Sequence, residues 1–511
     1  MCTHNNDIAA LLCHLGALGR QNWYTGMDAG EKLEHEGGWA ETESGSGQTT
    51  PEELDLLAII RSLPAEDLAR CIPPIIFDRV REVSKEAGKT VDEKQIPREF
   101  RVNKVWWAAC QDSLEKKQNF VLDQLAKQSE RDIITSIIVP ECLPSNSIDA
   151  SKKLAEVLSH CPDLTHLDLS QNRIEWHQLY QAQNEWNSAT WRCTSLTHLD
   201  LNHCSMFYEG LRTLHRILAQ WKCEKLAFLD LGGNKLLGAD FKELLQQFTE
   251  LRHLNLSTNC IDENQTQKIA EGLNTCTTLT HLDLSANQFG VTGMQNLAPV
   301  LRQCSQLTHL VLSGTRLNTA GVQCLYGVLS GYRNLLHINL ASNEIKFADM
   351  SGLLNSLQYC NALAYLNLSW NTFDCRDTNL LNDLSSHFPM LNDLHLAGVG
   401  MGVEGVTNLA GHLSQYTALK RLDIGYNHIV AAGALSLVEV LPRCNALLSL
   451  DVSCNAIGYA AQNLVDACLV LAAQKDKCEL TLINNEILSS SEQRLQDQCR
   501  GTNLVLKFTA W

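Results

Sequence analysis

Histidines 253, 281, 309 and 337 recur at intervals of 28 residues, and His166 and His198 stand in the same pattern upstream. Two residues after most of them comes an acidic or amide residue: Asp168, Asp200, Asn255, Asp283, Asn339. Imidazole and carboxylate in alternation suit three kinds of chemistry: metal ligation, proton transfer and pH sensing. A zinc site needs ligands that converge tetrahedrally, whereas a ladder of equivalent positions spreads them in a line. We therefore expect a face of stacked side chains and no metal centre or cofactor. Clustered imidazolium groups repel, while neighbouring carboxylates favour protonation. The two signs oppose, and the sequence leaves their balance open.

The ladder changes character towards the C-terminus. Tyr365, Trp370, His395, Arg421 and Tyr426 replace small or repetitive residues there, with Gly398 between the repeat positions of Trp370 and Tyr426. Exposed aromatic and Arg side chains on a rigid scaffold are what binding hot spots are made of. These five residues are the expected partner-binding surface; incidental variation on a tolerant surface is the alternative. A second aromatic group, Trp176, Trp186 and Trp191, lies in a longer connection and suits ligand contact or packing equally. Catalytic signatures are missing: no G-x-x-x-x-G-K-[ST], H-E-x-x-H or G-x-S-x-G occurs. A groove lined by the His and Asp columns would be the one route to an enzyme, and repeat regularity speaks against it.

The elements that position these residues follow from the period. The unit Leu279-Thr-His-Leu282-Asp-Leu284-Ser-Ala-Asn287 has its first leucine repeated at Leu251, Leu307, Leu335, Leu363, Leu391, Leu419 and Leu447, each 28 residues from the next. Upstream copies begin at Leu164, Leu196 and Leu226, a degenerate one at Ile134, and a truncated one at Leu480. Leucines alternating at strand period point inward. The Asn that ends the motif turns the chain and offers its amide to the neighbouring coil. Cys204, Thr315 and Val399 replace it, and Val399, unable to hydrogen-bond through its side chain, predicts a looser turn. Helical spacing follows each turn, as in Gly293, Leu297 and Leu301, or Gly433, Leu437 and Leu441. Cys161, Cys193, Cys223, Cys276, Cys304, Cys360 and Cys444 precede the first leucine by three residues, where other units have Phe248, Tyr332, Phe388 or Tyr416. Exchange with aromatics marks a buried apolar position, not a disulfide or metal ladder.

This pattern resembles the leucine-rich-repeat family, in its ribonuclease-inhibitor-like subclass of 28-residue strand-plus-helix units. The resemblance implies an α/β solenoid, a horseshoe of about thirteen coils over residues 131–511 with a C-terminal cap, that binds a protein on its concave face without catalysis. Residues 1–35 read as an N-terminal helical segment and 36–50, rich in Gly, Ser, Thr and Glu, as a flexible linker. Residues 51–130 read as a small all-α domain.

That domain carries Leu63-Pro64-Ala-Glu66 and later Val102-Asn-Lys104-Val-Trp106, with Asp112-Ser-Leu114 beyond. These motifs resemble an F-box. The resemblance implies that Leu63, Pro64, Val102 and Trp106 meet the Skp adaptor of a cullin–RING ubiquitin ligase, making the repeats a substrate receptor. The spacing between the two motifs is longer than the family's, and the intervening stretch from Arg81 to Arg98 is strongly charged. A helical cap sealing the first strand is the rival reading, giving an inhibitor or regulator with no ligase role. The repeat style with an F-box-like region also resembles effectors that intracellular bacteria deliver into host cells.

Composition sets the bounds. Of 511 residues 45% are hydrophobic and 19% charged, as in an ordered chain too long for one core. A net charge of −16 argues against nucleic acid and anionic membrane as partners. The apolar run Ile8–Leu18 has no Lys or Arg before it, unlike a secretory signal, and reads as a short amphipathic helix. With many of the 20 cysteines assigned to the repeat, a reducing, cytoplasmic location is expected.

Overall fold

The structure, a computed structural model, describes residues 99–101, 118, 121, 123, 125, 126 and 129, and 134–508 apart from 144–146, 186–192, 373–383, 385 and 476. The chain divides into two compact units, Met1–Pro97 with Arg101–Gln111, and Arg98–Phe100 with Asp112–Trp511. The second holds the repeats. The helical positions 118, 121, 125 and 129, spaced by three and four, are all buried there.

A short strand, β1 (Glu99–Arg101), opens a sheet in which the strands follow one another in chain order. After it come β2 (Ser136–Ile138), β3 (His166–Asp168), β4 (His198–Asp200), β5 (Phe228–Asp230), β6 (His253–Asn255), β7 (His281–Asp283), β8 (His309–Val311) and β9 (His337–Asn339). The series ends with β10 (Tyr365–Asn367), β11 (Asp393–His395), β12 (Arg421–Asp423), β13 (Ser449–Asp451), β14 (Cys478–Thr481) and β15 (Leu504–Lys507). From β2 to β15 every pair is parallel and in register, so equivalent repeat residues stand side by side. Thirteen coils, begun by β2 to β14, match the expected number, and the closing segment Leu504–Lys507 pairs with β14 as a last strand. This is an unclosed α/β solenoid.

The central residue of each strand, from Leu167 through Leu282 to Leu450, is buried. Burying a leucine contributes about 1.5–3 kcal/mol, and each coil repeats that contribution against its neighbours. Opposite the strands lie helices such as Gly290–Leu301, whose Gly293, Leu297 and Leu301 face inward. Coil length sets helix length. The 28-residue coils carry helices of up to 12 residues, whereas the shorter coil from Leu226 to Leu251 leaves room only for Lys242–Leu245. The helix Val430–Val438 stops before Leu441, which is buried in a following 3-10 turn.

The asparagines form a second, polar spine. Asn287 is fully buried; its Nδ2 donates to the carbonyls of Leu256 (2.9 Å) and Leu284 (2.8 Å), and its Oδ1 accepts from the N–H groups of Asn259 and Ile261 (both 3.0 Å). Substitutes do part of this work: Cys204 Sγ lies 3.1 Å from the Leu169 carbonyl and Thr315 Oγ1 2.8 Å from that of Leu312. The looser turn expected at Val399 is not found. Its N–H and that of Met401 both donate to Asn427 Oδ1, at 3.0 and 3.1 Å, because this turn is fixed by the asparagine of the next coil.

The cysteines before the first leucine are buried and form no disulfide, and the aromatics that alternate with them are buried too. Burial pushes the thiols of Cys276 and Cys304 up to about 11 and those of Cys161, Cys193 and Cys360 up to about 12.

Candidate functional site

Side chains on either side of each buried central residue project from the strands, and register aligns them into columns one strand spacing apart, about 4.8 Å. The first column is an unbroken run of ring contacts, stacked except where His281 tilts against His253. Centroid separations run 4.5 Å for His166–His198, 4.9 Å for His198–Phe228 and 4.3 Å for Phe228–His253. The stack continues through His281 and His309 (4.0 Å apart) to His337, and ends with His337–Tyr365 at 3.8 Å and an interplanar angle of 4°. Tyr365 then tilts against His395 at 5.1 Å.

Burial in this stack disfavours the charged imidazole, lowering the pKa of His198, His253, His281, His309 and His337. For His309 it falls to about 4, with neighbouring histidines adding to the effect of burial. The balance that the sequence left open is thereby decided: desolvation outweighs the attraction of the aspartates. Among the described residues no group of three or more His, Cys, Asp or Glu is placed to hold a metal ion.

The second column is largely carboxylate. Asp168, Asp283 and Asp451 each accept, through Oδ1, the N–H and hydroxyl of the serine two residues on. Asp200 stands between Asp168 and Asp230 in register, and burial, with both neighbours adding to it, raises its pKa to about 6.

The five expected partner-binding residues fall into two places. Tyr365, His395 and Arg421 project from β10, β11 and β12. Arg421 is not an isolated cation: its guanidinium grips the largely buried Asp393 carboxylate through Nε and a second nitrogen at 3.0 Å. His395 Nδ1 lies 3.5 Å from Asp423. Trp370 and Tyr426 are not on the sheet but on the turns after it, both about half exposed. Each precedes a buried asparagine and holds a left-handed backbone, φ 59° and 56°, as the equivalent residue does in coil after coil. Their rings meet at 5.0 Å across Gly398, whose own φ is 62°. A Cβ on Gly398 would lie 2.6 Å from the Trp370 ring, so glycine is what lets the indole lie flat there. With His428 and Cys454 they line an open groove of about 600 Å³.

Asp393, His428 and Cys454 were missed as site residues, although the 28-residue register already placed Asp393 beside Arg421. Leu63, Pro64, Val102 and Trp106 lie outside the described residues, as do Trp186 and Trp191; Trp176 is buried.

A family model described as "Leucine Rich repeat" matches residues 160–175, 192–214 and 275–298, each across a strand and its turn. The solenoid has the leucine-rich-repeat fold. A curated relative, "F-box/LRR-repeat protein 5" of Salmo salar, is 35% identical over 117 residues, which is 22% of this chain and 15% of that protein. The chain thus spans well under a fifth of the length of the relative it matches. Among solved structures, an internalin of Listeria monocytogenes is 18% identical with a TM-score of 0.41, covering 80% of this chain and 94% of its own. TLR13 in complex with ssRNA13 is 14% identical with a TM-score of 0.38, covering 82% and 64%. Leucine-rich-repeat solenoids are typical protein-interaction scaffolds. No helix among the described residues is long and apolar enough to cross a membrane.

Proposed function

We propose that the chain is a non-catalytic recognition scaffold that binds a protein partner on its concave strand face and adjoining turns. The observation that carries this reading is the break in the ring and carboxylate columns at β10–β12. There Tyr365, His395 and the Arg421–Asp393 pair give way, at the turns, to the exposed Trp370–Tyr426 pair. Rings on a rigid backbone bind with little loss of side-chain freedom, and a guanidinium already held by Asp393 is oriented in advance. Partners retained by the immobilised full chain should be lost on Trp370→Ala with Arg421→Ala. Unchanged retention would refute the assignment.

A finer reading makes the scaffold the substrate receptor of a cullin–RING ubiquitin ligase. Its support is the F-box-like pair of motifs at Leu63-Pro64 and Val102 to Trp106, together with a relative whose name joins an F-box to leucine-rich repeats. On this reading residues 51–130 are the adaptor-binding domain, and the chain works in a cytoplasm, its own or a host's. Capture of purified Skp adaptor by the full chain, abolished by Leu63→Ala with Trp106→Ala, is the expected result. Failure of the unaltered chain to bind would leave the domain as a cap.

A further inference from the structure

The strand face from β3 to β8 differs from the C-terminal patch in what it offers a ligand. Thr165, Thr280 and Thr308 each donate their hydroxyl proton to a carbonyl of the preceding coil, at 2.8–3.0 Å. The same three oxygens lie 2.8–2.9 Å from Nδ1 of His166, His281 and His309. A hydroxyl has one proton, and here it is spent on the carbonyl. The contact therefore requires Nδ1–H to donate, which leaves the Nε2 lone pair at the outer edge of each ring as an acceptor.

Alongside, the carboxylates draw the available donors towards themselves. The Ser170 and Ser285 hydroxyls donate to Asp168 and Asp283, and the Asn202 and Asn255 amides to Asp230. The second oxygen of Asp168, Asp200 and Asp283 takes no hydrogen bond among the described residues. Neither column contains Lys or Arg between β3 and β9; the two basic residues that project from the later strands, Arg421 and Lys507, are both paired with carboxylates. This stretch is a face of acceptors and ring surfaces with net negative charge: its two columns hold no cation, and the exposed Arg252, in the place that Thr280 takes one coil on, borders it at β6.

Resting on the reading of the strand face as a protein-binding surface, we propose that β3–β8 receives a basic segment of the partner, its arginine or lysine side chains laid over the ring column with their N–H donors on the free carboxylate oxygens and Nε2 atoms. Charge complementarity selects this occupant. A guanidinium supplies five donors and a planar face that stacks on rings, and an acidic or purely apolar segment would leave the carboxylates buried without a counter-charge.

The chain itself supplies substitutions that its fold accepts. Asn255, Asn339 and Asn367 occupy the carboxylate column and accept the same backbone N–H, while Phe228 and Tyr365 occupy the ring column. The test is fluorescence anisotropy of a labelled peptide of alternating arginine and glycine with the full chain, at neutral pH and physiological ionic strength. Asp168→Asn with Asp200→Asn and Asp283→Asn should weaken binding by tenfold or more, at about tenfold per well-placed charged hydrogen bond lost. His281→Phe with His309→Phe, which keeps the stack and removes two acceptors, should weaken it several-fold. Glu224→Gln with Glu243→Gln and Glu250→Gln changes net charge equally at exposed positions outside both columns and should leave binding within about twofold. No binding by the unaltered chain, or equal losses in the two charge-matched variants, would overturn the proposal. A natural partner released by the Trp370 and Arg421 substitutions but indifferent to the aspartate variant would overturn it while leaving the scaffold reading intact. A partner indifferent to the Trp370 and Arg421 substitutions would count against the patch assignment instead.

Discussion

Replacing Asn287 by Ala should be far more damaging than replacing Thr315, the equivalent residue one coil on. In the first case the N–H groups of Asn259 and Ile261 lose their acceptor, and the Leu284 carbonyl loses its donor. The other two carbonyls keep partners, Leu256 from Asn259 Nδ2 at 3.1 Å and Ser285 from the Thr258 N–H at 2.9 Å. Three buried polar groups are thus stranded at about 1–3 kcal/mol each, for a loss of about 3–9 kcal/mol. In Thr315→Ala the Leu312 carbonyl still accepts from Asn343 Nδ2 at 2.7 Å, and Asn343 Oδ1 still accepts from the Thr315 and Leu317 N–H groups. Nothing is stranded, and the expected loss is about 1 kcal/mol. Urea unfolding followed by circular dichroism gives the two differences. Hydrogen exchange at residues 256–262 shows whether the damage is local, which matters because repeat arrays can unfold in parts. Equal losses in the two variants, or a loss below about 1 kcal/mol for Asn287→Ala, would refute the picture of a load shared across coils through asparagine.

Other outcomes follow from the ring column, the turn aromatics and the thiols. The lowered pKa of His309 means that acid favours the unfolded chain: its contribution is lost as pH falls from 6.5 towards about 4. Asp200, raised from 3.8 to about 6, acts with the opposite sign between pH 6 and 4, so the test is a comparison. His309→Phe should flatten the acid limb of the urea midpoint against pH, and an unchanged limb would deny the histidine any part in it. Trp370→Gly removes the aromatic where the backbone is left-handed. The conformational relief, about 1 kcal/mol, offsets the lost ring contact, so thermal stability should stay nearly constant while partner binding falls. Gly398→Ala should instead cost stability of about 1–2 kcal/mol and displace the indole, seen as a shift in tryptophan emission. In a timed iodoacetamide reaction the exposed Cys260 should label first among the cysteines of the described residues, and Cys276 and Cys360 only on unfolding.

The sequence by itself determined the solenoid, because a 28-residue period leaves each residue type one recurrent environment. Leu282 must be inside, Asn287 must turn the chain, and Cys276 must fill a place that Phe248 fills elsewhere. Column membership was equally legible, since parallel strands in register convert sequence period directly into spatial adjacency. Three matters were decided only by tertiary structure. The histidines are driven towards the neutral form by burial, with neighbouring histidines adding to it, and how far each ring is buried is settled only by packing. Arg421 is held by Asp393, a pairing that needs both side chains to turn the same way. Trp370 and Tyr426 leave the sheet for the turns, because the left-handed residue before each asparagine falls outside the strand. Period fixes which residues are neighbours; rotamers, burial and backbone hand fix what those neighbours can do.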